Sequence, residues 1–149
     1  MLGTQWRDGP PPTLEVRLGA RFTPELLSAL DQGIPLTLEL ALELDDDQAS
    51  VRTERRYELS YSPLSARYRL RELESGAERS FGHRALLLAA LDRLSIALPP
   101  EAARLGPDAR ARLQVALPGA YLPAPLRLPA LVAPQWRLAA ADHRFRARG

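Results

Sequence analysis

Between Ile34 and Leu44 every second position is aliphatic: Ile34, Leu36, Leu38, Leu40, Leu42 and Leu44. Thr37, Glu39 and Glu43 fall between them. Period two is the signature of a strand with one buried face. Eleven residues of strand reach roughly 36 Å, enough to cross a domain. Leucine is not a strong strand former, so the alternation carries this assignment, not propensity. "DDDQAS" (45–50) then predicts a turn, because Asp and Ser side chains bond their own backbone. The next run places Val51, Thr53, Tyr57, Leu59 and Tyr61 on one side, with Arg55 interrupting. Arg52, Glu54, Arg56 and Glu58 take the other side. "SPLS" turns the chain into a third strand, with Ala66, Tyr68 and Leu70 inward and Arg67, Arg69 and Arg71 outward. "ESGAER" turns again around Gly76. Residues 34–73 therefore predict an antiparallel meander, greasy on one face and charged on the other.

Helical spacing appears twice. In "FTPELLSALDQGIP", Thr23 is a suitable N-cap and Pro24 occupies N1, where its missing N–H costs nothing. Glu25 suits the positive helix end, Leu26, Leu27 and Leu30 share a face, and Gly33 followed by Pro35 ends the helix. In "HRALLLAALDRL", Leu87, Leu91 and Leu94 form a stripe behind a weak N-cap at Gly82. Shorter elements surround these: a strand with Leu14, Val16 and Leu18 inward, a short strand at "IAL", one helical turn in "PPEAARLG", and a last strand with Leu113, Val115 and Leu117 in phase.

Pro118, Pro123, Pro125, Pro129 and Pro134 exclude both helix and central strand from the stretch after it. An extended, polyproline-like path remains. Its gaps hold leucine, so 118–136 predicts an arm packed on the body through Leu122, Leu126, Leu128, Leu131 and Trp136. The competing reading is a free proline-rich ligand for a partner groove. The organisation predicted is a flexible N-terminal segment at 1–12, a single domain at 13–143 and a basic tail at 144–149. The fold class predicted is α+β: an antiparallel meander sheet with two helices and the proline-rich arm. A β-sandwich with helical insertions is the alternative.

Composition changes this picture little. The chain is 46% hydrophobic and 26% charged, which places it among globular domains and away from disorder. No cysteine is present, which removes disulfides, thiol catalysis and zinc–thiolate sites. No apolar run nears the roughly 20 residues of a bilayer span, and "MLGTQWRDGPPP" lacks the basic and apolar regions of a signal peptide. All 20 basic residues are arginine, giving a net charge of +2. That charge does not indicate nucleic-acid binding. Exclusive arginine fits a GC-rich coding sequence as well as selection for bidentate anion contacts.

Candidate chemistry is sparse. His83 and His143 stand sixty residues apart, neither with a ligand partner at helical spacing. Asp45, Asp46 and Asp47 are consecutive, so their side chains diverge, and the glycine and spacing of a calcium loop are missing. No nucleophile elbow, phosphate loop or zinc-protease motif occurs. The expectation is no catalytic residue, no metal and no cofactor. One constellation stands out: Arg67, Arg69 and Arg71 alternate along one strand, and Arg52 and Arg56 join them from its neighbour. Such a stripe could hold phosphate, a lipid headgroup or an acidic protein surface. Cross-strand pairing with Glu39, Glu43, Glu54 and Glu58 is the competing structural reading.

Three stretches in order, "ALDQGIPLTLELALEL", "YELSYSPLSARYRLRELESGAERSFGHRALLLAAL" and "LPAPLRLPALVAPQWRL", resemble a proteobacterial family catalogued as domain of unknown function 4390. The resemblance spans roughly residues 14–143. It implies an exported, extracytoplasmic protein, and for some members a gene beside a membrane-bound sensor kinase of the nitrogen-regulation type. The role it implies is a non-enzymatic accessory or interaction domain of the bacterial envelope, with an envelope or membrane signalling protein as partner. A small-molecule or lipid-binding domain, and a cytoplasmic location, are the alternatives. The family assigns no catalytic residue. Here Pro118 replaces an acidic residue of the pattern, His143 stands where a second tryptophan is usual, and the export segment is missing.

Overall fold

The leucine-rich strand predicted at 34–44 lies in the middle of a six-stranded sheet, flanked on both sides, and Leu36, Leu38, Leu40, Leu42 and Leu44 are all buried. The computed structural model describes residues 3–7, 12–17, 22, 24–106, 108–117 and 141–146. Its elements are β1 (Gly3–Arg7), β2 (Thr13–Arg17), α1 (Pro24–Asp31), β3 (Leu36–Asp45), β4 (Ser50–Ser62), β5 (Arg67–Glu72), β6 (Glu78–Phe81), α2 (Arg84–Leu91), β7 (Leu94–Ala97), β8 (Arg110–Ala116) and β9 (Ala141–Arg146). A 3-10 helix at Pro100–Arg104 precedes β8. The fold is α+β, as the pattern predicts.

The sheet order is β6-β5-β4-β3-β8-β9, every pairing antiparallel. β3 to β5 form the predicted meander. A second sheet, β1-β2-β7, is also antiparallel. One hydrophobic cluster joins both sheets and both helices: Leu14 and Val16 from β2, Leu94 and Ile96 from β7, Leu26 and Leu30 from α1, Leu87 and Leu91 from α2, and Leu113 and Val115 from β8. Each fully buried leucine contributes about 1.5–3 kcal/mol relative to exposure, so the β3 stripe is the largest single source of cohesion.

α1 ends as predicted. Gly33 has φ +92°, its N–H donates to the Leu30 carbonyl at 2.9 Å, and the Ile34 N–H donates to the Ala29 carbonyl at 3.0 Å. These two bonds are the Schellman motif, which needs a left-handed residue at its centre. The expected N-cap Thr23 lies outside the described residues, as do Leu18 and the arm at 118–136 with Leu122, Leu126, Leu128, Leu131 and Trp136.

Several expectations need correction. Gly3–Arg7, placed in a flexible segment, is a strand paired with β2, and Trp6 packs against the core. Pro12 is buried, and its carbonyl accepts the Leu98 N–H at 2.8 Å. β6 went unpredicted because four residues with three exposed side chains carry no alternation. Ala66 lies in the β4–β5 turn, exposed and with φ 54°, not on the inner face. Leu94 belongs to β7 instead of the helix, and His83 instead of Gly82 is the N-cap of α2. β8 is not the last strand: β9 comes after it, and Ala141–Arg146 takes in half of the expected tail.

Candidate functional site

Antiparallel register fixes what faces what on the outer side of the large sheet. β3 sets Glu39 opposite Arg56, Ala41 opposite Glu54, and Glu43 opposite Arg52. β5 sets Arg71 opposite Glu58, Arg69 opposite Ser60, and Arg67 opposite Ser62. Alternation thus delivers Arg52, Arg56, Arg67, Arg69 and Arg71 to one face, because residues two apart in a strand point the same way.

They form two groups. Arg52 bonds both Glu43 and Glu54, the latter at 2.7 Å. Arg56 bonds Glu74 twice: Nε to Oε1 at 3.0 Å and its backbone N–H to Oε2 at 2.9 Å. Burial pushes the Glu74 carboxyl up, yet the two Arg56 donors outweigh it and hold the group below the ordinary carboxylate range. Arg52 and Arg56 are two of the walls of an open groove of about 480 Å³, lined also by Glu39, Glu54, Glu74 and Gln114, with Ala41 and Ala116 among its small residues. The second group lies on β5. Arg69 Nε meets Glu78 at 3.0 Å and Arg67 Nε donates to Ser80 Oγ at 2.9 Å. Arg71 stands opposite both Glu58 and Glu78 in register.

Glu74, Glu78, Ser80, Gln114, Ala41 and Ala116 were not singled out from sequence. Glu74 sits in the β5–β6 turn and Glu78 and Ser80 on a strand without periodicity, so only the folded register brings them to the arginines.

Arg55, which breaks the apolar side of β4, has partners on that inner side. Its Nε meets Glu72 at 3.3 Å, Nη1 donates to Thr53 Oγ1 at 3.0 Å, and Nη2 donates to the Ala97 carbonyl of β7 at 2.9 Å. A second polar cluster ties helices to sheet. Tyr68 Oη donates to Asp31 Oδ1 at 2.6 Å and Arg84 Nη1 to Asp31 Oδ2 at 2.5 Å, while the Tyr61 and Tyr68 rings lie 4.6 Å apart. The bond to Asp31, then burial, pushes the Tyr68 hydroxyl up to about 12.

The consecutive aspartates play a structural part. Asp46 Oδ1 accepts the Gln48 and Ala49 N–H groups at 2.8 and 2.7 Å, and Oδ2 accepts the Gly106 N–H at 3.0 Å. His83 is exposed, and register sets His143 opposite Leu113. Among the described residues, no group of three or more His, Asp or Glu could hold a metal ion, and no helix is long and apolar enough to cross a membrane.

No curated protein matches the chain, and no solved structure matches it. Residues 12–146 match the model of one family, described as Domain of unknown function (DUF4390). That match takes in β2 to β9, and so the whole six-stranded sheet with its charged face, and the chain belongs to this family.

Proposed function

We propose that this chain is a non-enzymatic interaction domain of the bacterial cell envelope, working through the outer face of its six-stranded sheet as an accessory to a membrane sensor-kinase system. The observation that carries the reading is the pre-set charge pattern of that face. Arg52, Arg56, Arg67 and Arg69 are each held by a carboxylate or hydroxyl on a neighbouring strand or turn. Fixed charges of both signs give a partner orientation and specificity more than raw affinity. The groove's chemistry argues in the same direction. A general acid needs an apolar setting that raises its pKa, whereas Glu74 is held ionised by Arg56. The envelope location and the kinase association rest on the family resemblance alone.

A second reading, a small-molecule binder, is favoured by the groove's volume, which falls within the usual range of ligand sites. The groove is walled by β3, β4, β8 and the β5–β6 turn, not by the helices. It opens on the polar face, and its lining is mostly charged.

The test is affinity capture from native envelopes. Wild type is compared with Arg67/Arg69/Arg71→Glu and with Arg52/Arg56→Glu, all confirmed folded by circular dichroism. A protein retained by wild type and lost with either variant supports the reading. Identical captures from all three, or none from any, would overturn it.

A further inference from the structure

On the outer face of β4, β5 and β6, hydroxyls and carboxylates are segregated by row. The two rows nearest the β4–β5 turn carry hydroxyls: Ser62 beside Arg67, then Ser60 and Ser80 on either side of Arg69. Carboxylates begin one row on, with Glu58 and Glu78 flanking Arg71.

Arg67 and Arg69 both lie across β6, the last strand of this sheet among the described residues. Arg69 faces Ser80 in register but approaches Glu78 through Nε at 3.0 Å. Arg67 Nε donates to Ser80 Oγ at 2.9 Å. A Cβ on Gly82 would stand 3.6 Å from Arg67 Nη1, so the guanidinium spans from Ser80 to the bare end of the strand. Nε is the guanidinium nitrogen nearest the chain, so these contacts fix each fork by its base. Among the described residues, neither arginine makes a hydrogen bond through its Nη groups. Arg67, Arg69 and Ser80 are all exposed. Ser80 Oγ accepts from Arg67, which leaves its own proton to donate. The anchors Ser80 and Glu78 are two residues apart, as the arginines are, which sets the forks roughly 7 Å apart.

We infer that this corner of the sheet binds a phosphate monoester, with the Nη groups of Arg67 and Arg69 and the Ser80 hydroxyl as donors. The inference rests on the outer face being the chain's working surface and names the chemistry of one part of it. A charge-assisted N–H···O bond is about 2.8 Å long, so one tetrahedral anion fits between two forks at that spacing. A monoester offers three terminal oxygens to three sets of donors, where a carboxylate offers two. Arginine keeps its charge, and its planar fork matches phosphate oxygens.

A soluble ester and a lipid headgroup present the same group, and two arms separate them. In the first, the full chain is titrated with inorganic phosphate and with glycerol 3-phosphate at constant ionic strength, with acetate and chloride as controls. NMR follows the amide signals of β5 and β6 and the Nε–H signals of Arg67 and Arg69. In the second, the chain is co-sedimented with vesicles of phosphatidylcholine alone or with about 30% phosphatidic acid. Wild type is compared with Arg67→Gln/Arg69→Gln, and with Ser80→Ala as a milder variant should the double change impair folding. Arg93→Gln/Arg104→Gln removes the same charge at two other exposed positions. The expected result is a wild-type response in at least one arm with acetate inert. Arg67→Gln/Arg69→Gln should lose at least about tenfold in apparent affinity and Ser80→Ala about threefold, while the Arg93/Arg104 variant matches wild type. Saturation by glycerol 3-phosphate identifies a soluble ester; retention by phosphatidic acid vesicles alone identifies a membrane surface. No wild-type response in either arm, acetate bound as well as phosphate, or equal losses in the two double variants overturns the inference. An envelope protein lost from capture with Arg67/Arg69/Arg71→Glu would still stand after any of these, so the anion site and the interaction face fail separately.

Discussion

Arg55 Nη2 donates to the carbonyl of Ala97 at 2.9 Å, so a side chain of the six-stranded sheet caps a strand of the three-stranded one. Arg55 lies on the inner side of β4, and its side chain is 22% exposed; its partner Glu72 is 24% exposed. An ion pair this sheltered costs desolvation, and removing one member strands the other. Arg55→Met should destabilise the protein by about 1–3 kcal/mol, through the unpaired Glu72 and the uncapped Ala97 carbonyl. Urea denaturation checks this. A double-mutant cycle with Glu72→Gln should recover part of the loss, with a coupling above about 0.5 kcal/mol. Strict additivity would mean that the pair contributes nothing.

The β4–β5 turn stores strain at Ala66, whose φ is 54°. A side chain in that region costs about 1–2 kcal/mol, which glycine avoids. Glycine also frees the unfolded chain by about 0.5–1 kcal/mol. Ala66→Gly should therefore be neutral to stabilising, by up to about 1 kcal/mol, although it removes a methyl group. Thermal unfolding reads it directly. A loss of more than about 0.5 kcal/mol would show that the turn is not strained in solution.

Tyr68 couples α1, β5 and α2 through Asp31 and Arg84. Its hydroxyl is raised from 10.0 to about 12. A raised acid keeps its proton in the folded state, so its contribution is whole below pH 10 and fades as pH climbs from 10 towards 12. Tyr68→Phe should flatten that alkaline limb and cost about 1–2 kcal/mol at neutral pH, because the bond lost is one to a carboxylate. Stability measured from pH 8 to 11.5 separates the two. A variant as alkali-sensitive as wild type would place the titration elsewhere.

How much of this was legible in the sequence depends on the range of the interaction. Alternation along β3, β4 and β5 announced strand, buried face and charged face together, because a strand's period is a local property. The glycine stop at Gly33 was equally local. Pairing partners were not. β2 finds β7 across some eighty residues, and nothing in "TLEVR" distinguishes that sheet from the larger one. β6 and β1 lack any period. The candidate site divides in the same way. Spacing alone put five arginines on one face and Glu43 and Glu54 beside Arg52, while the acids that hold Arg56 and Arg69, Glu74 and Glu78, lie beyond the strands that spacing can read.

Asp46 links the β3–β4 turn to the chain ahead of β8, accepting the Gly106 N–H as well as those of Gln48 and Ala49. Those donors, the Gly106 bond foremost, hold its carboxyl below the ordinary 3.8. A lowered acid stabilises the fold above its unfolded pKa and loses that contribution as pH falls through its folded one. The window therefore lies below about pH 4. Asp46→Ala should lower the melting temperature at pH 7 and bring wild type and variant closer together as pH falls from 4 to 2. Asp47→Ala, one residue on, is exposed and should leave the profile unchanged. Adding calcium should shift neither protein, because both Asp46 oxygens are already occupied by backbone donors. A calcium-dependent rise in wild type that Asp46→Ala abolishes would restore the metal-loop reading of these three aspartates.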